Sequence, residues 1–140
     1  MDWKLELVIV PVSNVDRAKA FYADQLGWPV DVDHDAGEAF RVVQLTPPGS
    51  ACSITFGKGV SESEPGSLHG LHLIVVDIEA ARLHLVERGV GVTEIFHFEQ
   101  GERRPGPDPQ RGDYNSFCSF HDPDGNTWVV QEVRRAGPPA

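Results

Sequence analysis

His97 and Glu99 stand two residues apart at the end of Thr93-Glu94-Ile95-Phe96-His97-Phe98, an apolar run that reads as a β-strand. Alternate strand residues share a face, so the carboxylate can orient the imidazole and raise its pKa. That equips the pair as catalytic general base and orienting group, or as a ligand clamp. An exposed pair at a strand end is the competing outcome. Of the other histidines, His121 adjoins an Asp-Pro-Asp-Gly turn and is expected to bond it. His34 and His84 read as solvated surface, and His69 and His72 flank an apolar strand where burial with one bonded nitrogen is the commoner fate.

Arg41 and Gln44 lie on one strand but on opposite faces by parity, so only one of them can share a face with a bound ligand. Arg41 is the candidate for an anionic ligand group, against the alternative of snorkelling at a sheet edge. Tyr114 ends a loop rich in proline and arginine (Arg103, Arg104, Arg111), and an aromatic hydroxyl there can cover a ligand and hydrogen-bond it. Cys52 and Cys118 sit inside apolar runs without Cys-x-x-Cys or zinc spacing, which reads as small buried hydrophobes. No Ser-His-Asp order, phosphate-cradling glycine motif or dinucleotide fingerprint is present.

Two similar stretches must position these groups. Leu5 to Val12 is a strand-like run ended by Ser13-Asn14, good helix N-caps. Val15, Ala18, Phe21, Tyr22 and Leu26 then recur at helical spacing up to Gly27, a C′ stop. His69 to Gly89 repeats the pattern: Leu7 falls on Leu71 and Ile9 on Leu73, after one deleted residue Val15 falls on Ile78, and a glycine stop, Gly89, again follows the helix. Three strands follow each helix. In the first half they are Trp28–Val32, Phe40–Leu45 and Ala51–Phe56; in the second, Thr93–Phe98, Asn115–His121 and Thr127–Val133, the last two joined by the turn Asp122-Pro123-Asp124-Gly125-Asn126. Asp33 to Glu38 reads as a polar turn and Glu99 to Tyr114 as a long unstructured loop.

The 140 residues suit one domain, with module one at about 4–57, a linker at about 58–68, module two at about 69–133 and a frayed tail at 136–140. A formal charge of −9, with 12 Lys and Arg against 21 Asp and Glu, argues against nucleic acid and anionic membranes as partners. No run approaches the roughly 20 apolar residues of a membrane span. The start, Met1-Asp2-Trp3-Lys4, lacks a signal-peptide pattern, so the expected location is the cytoplasm.

The paired strand-helix-strand pattern, with Val12-Ser13-Asn14-Val15-Asp16-Arg17-Ala18-Lys19-Ala20-Phe21-Tyr22 before Leu26-Gly27, and with Asp122-Pro123-Asp124-Gly125-Asn126-Thr127, resembles the vicinal oxygen chelate superfamily. That group contains glyoxalase I, extradiol dioxygenases, fosfomycin-modifying enzymes and bleomycin-binding resistance proteins. The resemblance covers about residues 4 to 133. It implies an α+β fold of two tandem βαβββ modules, with curved sheets around a cup and commonly in a homodimer. Metal-dependent members draw His and Glu ligands from the first and last strands of the modules, and the corresponding positions here are Leu7, Ser53, Leu71 and Val129. A divalent transition-metal site needs three or four His, Glu, Asp or Cys side chains at about 2 Å. Sliding all four positions together by one or two residues yields no more than two such ligands, so no metal or other cofactor is expected.

In the preferred register Leu5, Leu7, Ile9, Ala51, Ser53, Thr55, Leu71, Leu73, Val129 and Gln131 line the cup, an apolar wall with a few hydroxyls and one amide. Such a wall suits a small organic ligand with substantial nonpolar surface; a collapsed core is the competing outcome. The leading expectation is a metal-independent binding protein that sequesters a toxic compound or antibiotic. Its rivals are a metal-free lyase or isomerase using His97 with Glu99 for proton transfer, a dimerisation module with a closed cup, and, disfavoured by the empty ligand positions, a metal-dependent glyoxalase or dioxygenase.

Overall fold

The computed structural model describes residues 1–134, so the tail at 136–140 lies outside the described residues. Its elements are β1 (Leu7–Ile9), α1 (Val15–Lys19) continued by a π-helical segment (Ala20–Gln25), β2 (Val30–Asp35), β3 (Arg41–Leu45), β4 (Ser53–Lys58), β5 (Leu71–Val75), α2 (Ile78–Glu87), β6 (Phe96–Glu99), β7 (Glu102–Pro105), β8 (Phe117–His121) and β9 (Thr127–Glu132). They form an α+β fold with two sheets, ordered β1-β4-β3-β2 and β5-β9-β8-β6-β7. The first strand of each sheet runs parallel to the last strand of its half, and the remaining pairs are antiparallel.

The chain divides into two compact units. Unit one is Met1–Leu68 with the turn Asp122–Asn126, and unit two takes His69–His121 and, among the described residues, 127–134. In unit one the Asn14 side chain caps α1 by accepting from the Arg17 N–H. Tyr22, fully buried, packs its ring 5.6 Å from Trp28 and 5.7 Å from Phe56. The 122–126 turn closes over the start of this helix. Asp122 Oδ2 accepts from the Tyr22 hydroxyl at 2.8 Å, Asn126 donates to the Pro11 carbonyl, and Asp124 accepts from the Ser13 N–H and hydroxyl and from Arg17.

In unit two Asp77 caps α2 by accepting from the N–H groups of Glu79 and Ala80. A second carboxylate reaches the same helix end: Glu132, buried at the end of β9, accepts from the Ile78 N–H at 3.0 Å. Arg111 clamps both oxygens of Glu132 and also donates to Glu79, with its backbone at a φ of 50°. Phe120 and Trp128 stack at 6.3 Å beneath the helix.

Three expectations need correction. Asp33-His34-Asp35 continues β2 as partners of Val43, Val42 and Arg41, because their charges face solvent or a basic partner and cost the ladder nothing. The stretch after Glu99 is not structureless. Gln100 and Gly101, at φ of 51° and 79°, form a two-residue turn of the twist that antiparallel strands require, and Glu102–Pro105 folds back on β6. Finally, β5 is shifted by one residue from the expected pairing: Leu71 partners Trp128 and His72 partners Val129. Because side chains alternate along a strand, one residue exchanges the two faces.

Candidate functional site

Each sheet carries its helix on one face and leaves the other without one. In unit one Phe56 meets Tyr22 of the helical segment, so Phe56, Ile54, Val43 and Leu45 mark the helix side. Leu7, Ile9, Ser53, Thr55, Gln44 and Val42 take the opposite face. Leu7 and Ile9 there are 37% and 42% exposed, whereas Ser53 and Thr55 beside them are 5% and 6% exposed. The structure therefore brings four expected wall residues together on two adjacent strands. Arg41 is not with them. Its guanidinium sits on the helix side, donating to both carboxylate oxygens of Asp33 and to Asp16 of α1 at 2.7 Å. The hydrogen bonds from Arg41 and Lys19 hold the Asp33 carboxyl down at about 2. Of the two polar residues on β3, Gln44 is the one on the open face.

In unit two the shifted register separates the expected wall residues. Leu73 lies on the helix side, lining a cavity of about 180 Å³ with Val75, Leu85, Phe120 and Val130, and Leu71 shares its parity. Val129 and Gln131 are on the open face, and their β5 partners there are His72 and Ile74. Gln131 donates its amide to the Tyr114 carbonyl at 3.1 Å, which places the expected lid residue beside the sheet with its backbone at a φ of 70°. Phe117 on β8 continues this face into Phe96 and Phe98 of β6. Phe96 and Phe117 stack at 5.4 Å, and the Arg103 guanidinium covers the Phe96 ring at 3.6 Å.

His97 and Glu99 do meet, at 2.9 Å between Nε2 and Oε1, on the β6 face opposite Phe96. The other ring nitrogen, Nδ1, lies 2.7 Å from the Gly106 carbonyl oxygen. Both neighbours are acceptors, so the ring satisfies them together only as an imidazolium donating from both nitrogens. In this geometry the ring has no free lone pair to act as a base; it joins β6 to the loop after β7. Glu99 borders a depression of about 500 Å³ with Arg104, Asp108, Gln110 and Asn115. The bond to Glu99, then that to Gly106, raises the His97 pKa. Carbon-detected or ¹H NMR titration of its ring is expected to give a midpoint above the ordinary 6.5, moving back toward that value in Glu99→Gln. With the folded value raised, the clamp's contribution to stability is full below pH 6.5 and is lost as pH climbs through the folded midpoint. A wild-type midpoint at or below the ordinary value removes the clamp.

A family model described as the Glyoxalase/Bleomycin resistance protein/Dioxygenase superfamily matches residues 4–130. The chain belongs to this superfamily. Solved structures of the glyoxalase/bleomycin-resistance type agree. TnmS3, an antibiotic-binding protein from Streptomyces sp. CB03234, is 30% identical with a TM-score of 0.71, covering 94% of this chain and 96% of its own. A glyoxalase/bleomycin resistance protein from the same organism is 31% identical with a TM-score of 0.69, covering 91% and 99%. A superfamily member from Sphaerobacter thermophilus DSM 20745 is 29% identical with a TM-score of 0.71, covering 94% and 98%. No curated protein matches the chain.

Metal-dependent members of the superfamily pose a direct test of the donor set. With the observed register, the open-face pairs between the first and last strands are Leu7 with Ser53 and His72 with Val129. His72 is the one competent ligand of the four, and its Nδ1 lies 2.7 Å from the Gly70 carbonyl. Among the described residues no three His, Cys, Asp or Glu side chains come together as a metal-binding group. This donor chemistry does not fit the superfamily's metal centre. No described helix is long and apolar enough to cross a membrane.

Sequence reasoning passed over Thr46 and Asp31, which join the open face of the first sheet through hydroxyl hydrogen bonds, and over Gln44. Parity alone identifies Gln44 once Arg41 is given to its acidic neighbours. It also passed over Phe96, Phe98 and Phe117, although the alternation Phe-His-Phe announces one aromatic face.

Proposed function

We propose that this superfamily member is a metal-independent binding protein that holds an organic ligand against the open face of its sheet and so sequesters a toxic compound or antibiotic. The supporting observation is the combination on one face of Leu7 and Ile9, left exposed, with the buried hydroxyls of Ser53 and Thr55. Exposed aliphatic surface supplies a driving force for a nonpolar body, and a few fixed polar groups orient it. The open face of the second sheet adds Val129 and Gln131 beside Phe96, Phe98 and Phe117. The antibiotic-binding description of TnmS3, 30% identical over nearly the whole chain, favours this class of ligand. A cytoplasmic location and a homodimer belong to the same reading. The dimer is supported by the large exposed side chains Trp3, Leu5, Ile74 and Val76.

A thermal-shift screen of hydrophobic metabolites and cationic drugs tests it. A ligand at a hundred times its Kd adds about 2.7 kcal/mol to stability, well within detection. The shift is expected to persist unchanged after exhaustive treatment with a chelator. A folded sample that no compound stabilises argues against sequestration, and a shift abolished by the chelator argues against metal independence.

A further inference from the structure

The open face of the first sheet contains a chain of hydroxyls whose direction is fixed. Thr46 Oγ1 lies 2.5 Å from Asp31 Oδ2, and a carboxylate only accepts, so the single Thr46 hydrogen is committed to Asp31. Thr46 Oγ1 also lies 2.7 Å from Ser53 Oγ. With the Thr46 proton already used, that second contact requires Ser53 to donate. Ser53 Oγ is therefore left with lone pairs and no hydrogen for anything else. Two residues along β4, on the same face, the Thr55 hydroxyl is buried and makes no hydrogen bond among the described residues. A buried polar atom without a partner carries a cost that a ligand can remove.

This polar strip, together with Gln44, runs along the two central strands. Leu7 and Ile9 on β1 flank it on one side and Val32 on β2 on the other, all three exposed. We propose that it is a directional subsite for ligands that bring their own hydrogen-bond donor on an apolar body, such as phenols, alcohols or N–H groups. The ligand donates to Ser53 Oγ, while its nonpolar part lies on Leu7 and Ile9 of the neighbouring strand. An ether or ketone of the same shape finds no donor at Ser53. The proposal rests on the ligand-binding reading above and adds the class of ligand to it.

The test uses a matched pair of probes, 2-naphthol and 2-methoxynaphthalene, titrated into the full chain and followed by backbone amide chemical shifts. In the unaltered protein 2-naphthol is expected to move the amides of Ser53 and Thr55 and to bind about tenfold tighter than the methyl ether. Thr46→Val frees the Ser53 hydrogen to point at a ligand, and that preference is expected to fall to about twofold. Asp31→Ala does the same from an exposed position, by letting the chain reverse, and so serves if Thr46→Val fails to fold. Equal affinity for the two probes at this face, or a preference that survives both substitutions, overturns the directional subsite and leaves the ligand-binding reading standing. Probes that bind elsewhere, or not at all, also overturn the subsite; the reading beneath it falls only if the thermal-shift screen is silent as well.

Discussion

Replacing Glu132 by alanine is expected to lower the free energy of unfolding by roughly 3 kcal/mol or more, the range found when one partner of a buried ion pair is removed. The side chain is fully buried and serves three donors: the Arg111 Nε and Nη2 groups, and the Ile78 N–H at the first turn of α2. Alanine leaves the helix start without its second acceptor. It also leaves Arg111, three-quarters buried, with only its bonds toward Glu79 and Asp77. Because Arg111 holds its loop in a left-handed backbone conformation, the loss reaches the segment that ends at Tyr114. Urea denaturation at neutral pH measures the change. The bonds from Arg111 and Ile78 lower the Glu132 pKa below its ordinary 4.5, so its contribution is full above that pH and is lost as pH falls through the folded value. The gap between the two proteins should therefore close in acid. A loss below about 1 kcal/mol at neutral pH contradicts the buried clamp.

Asp122→Ala is the counterpart in unit one, with an expected loss of roughly 3 kcal/mol. One oxygen of this buried carboxylate accepts from the Asp124 and Asn126 N–H groups, the other from the Tyr22 hydroxyl and the Asn126 amide. Removing it takes the acceptor from the hydroxyl at the centre of the aromatic cluster and loosens the turn that closes over the start of α1. Tyr22→Phe removes one of these bonds and keeps the ring packing, so it should cost only about 1 kcal/mol. The two substitutions share a bond, and the double variant should fall short of their sum. Calorimetry of the four proteins decides it. An additive cycle shows that the carboxylate and the hydroxyl do not act together.

Element types were legible where one local signal settles them. Asn14 and Asp77 before helical spacing, with Gly27 and Gly89 at positive φ behind it, fix both helices. The family resemblance rested on the same stretches, and the match over residues 4–130 agrees with it. Strand facing was harder. Leu7 and Leu71 look alike, yet one is on the open face and the other shares the parity of the helix side, because Leu71, Leu73 and Val75 offer apolar residues enough to pack α2 in a register one residue away. A leucine does not say which face it is on. The meeting of His97 with Glu99 was legible from strand parity, but the Gly106 carbonyl that occupies the other nitrogen was not, since it comes from beyond a hairpin whose arginine-rich strand has little intrinsic strand preference. The hydroxyl chain through Asp31 was equally hidden, being a product of register across three strands.

The 122–126 turn has a bearing on biosynthesis. Unit one begins at the N-terminus, yet its Leu68 N–H bonds the side chain of Asn126, 58 residues later, and its Ser13 and Tyr22 bond Asp124 and Asp122. At elongation rates of about 5–20 residues per second, a nascent chain carries the first module for roughly 3–12 s before those partners are made. During that interval the turn's acceptor for the Tyr22 hydroxyl, Asp122, does not yet exist. The contacts that complete the first module therefore form only after most of the second has been synthesised.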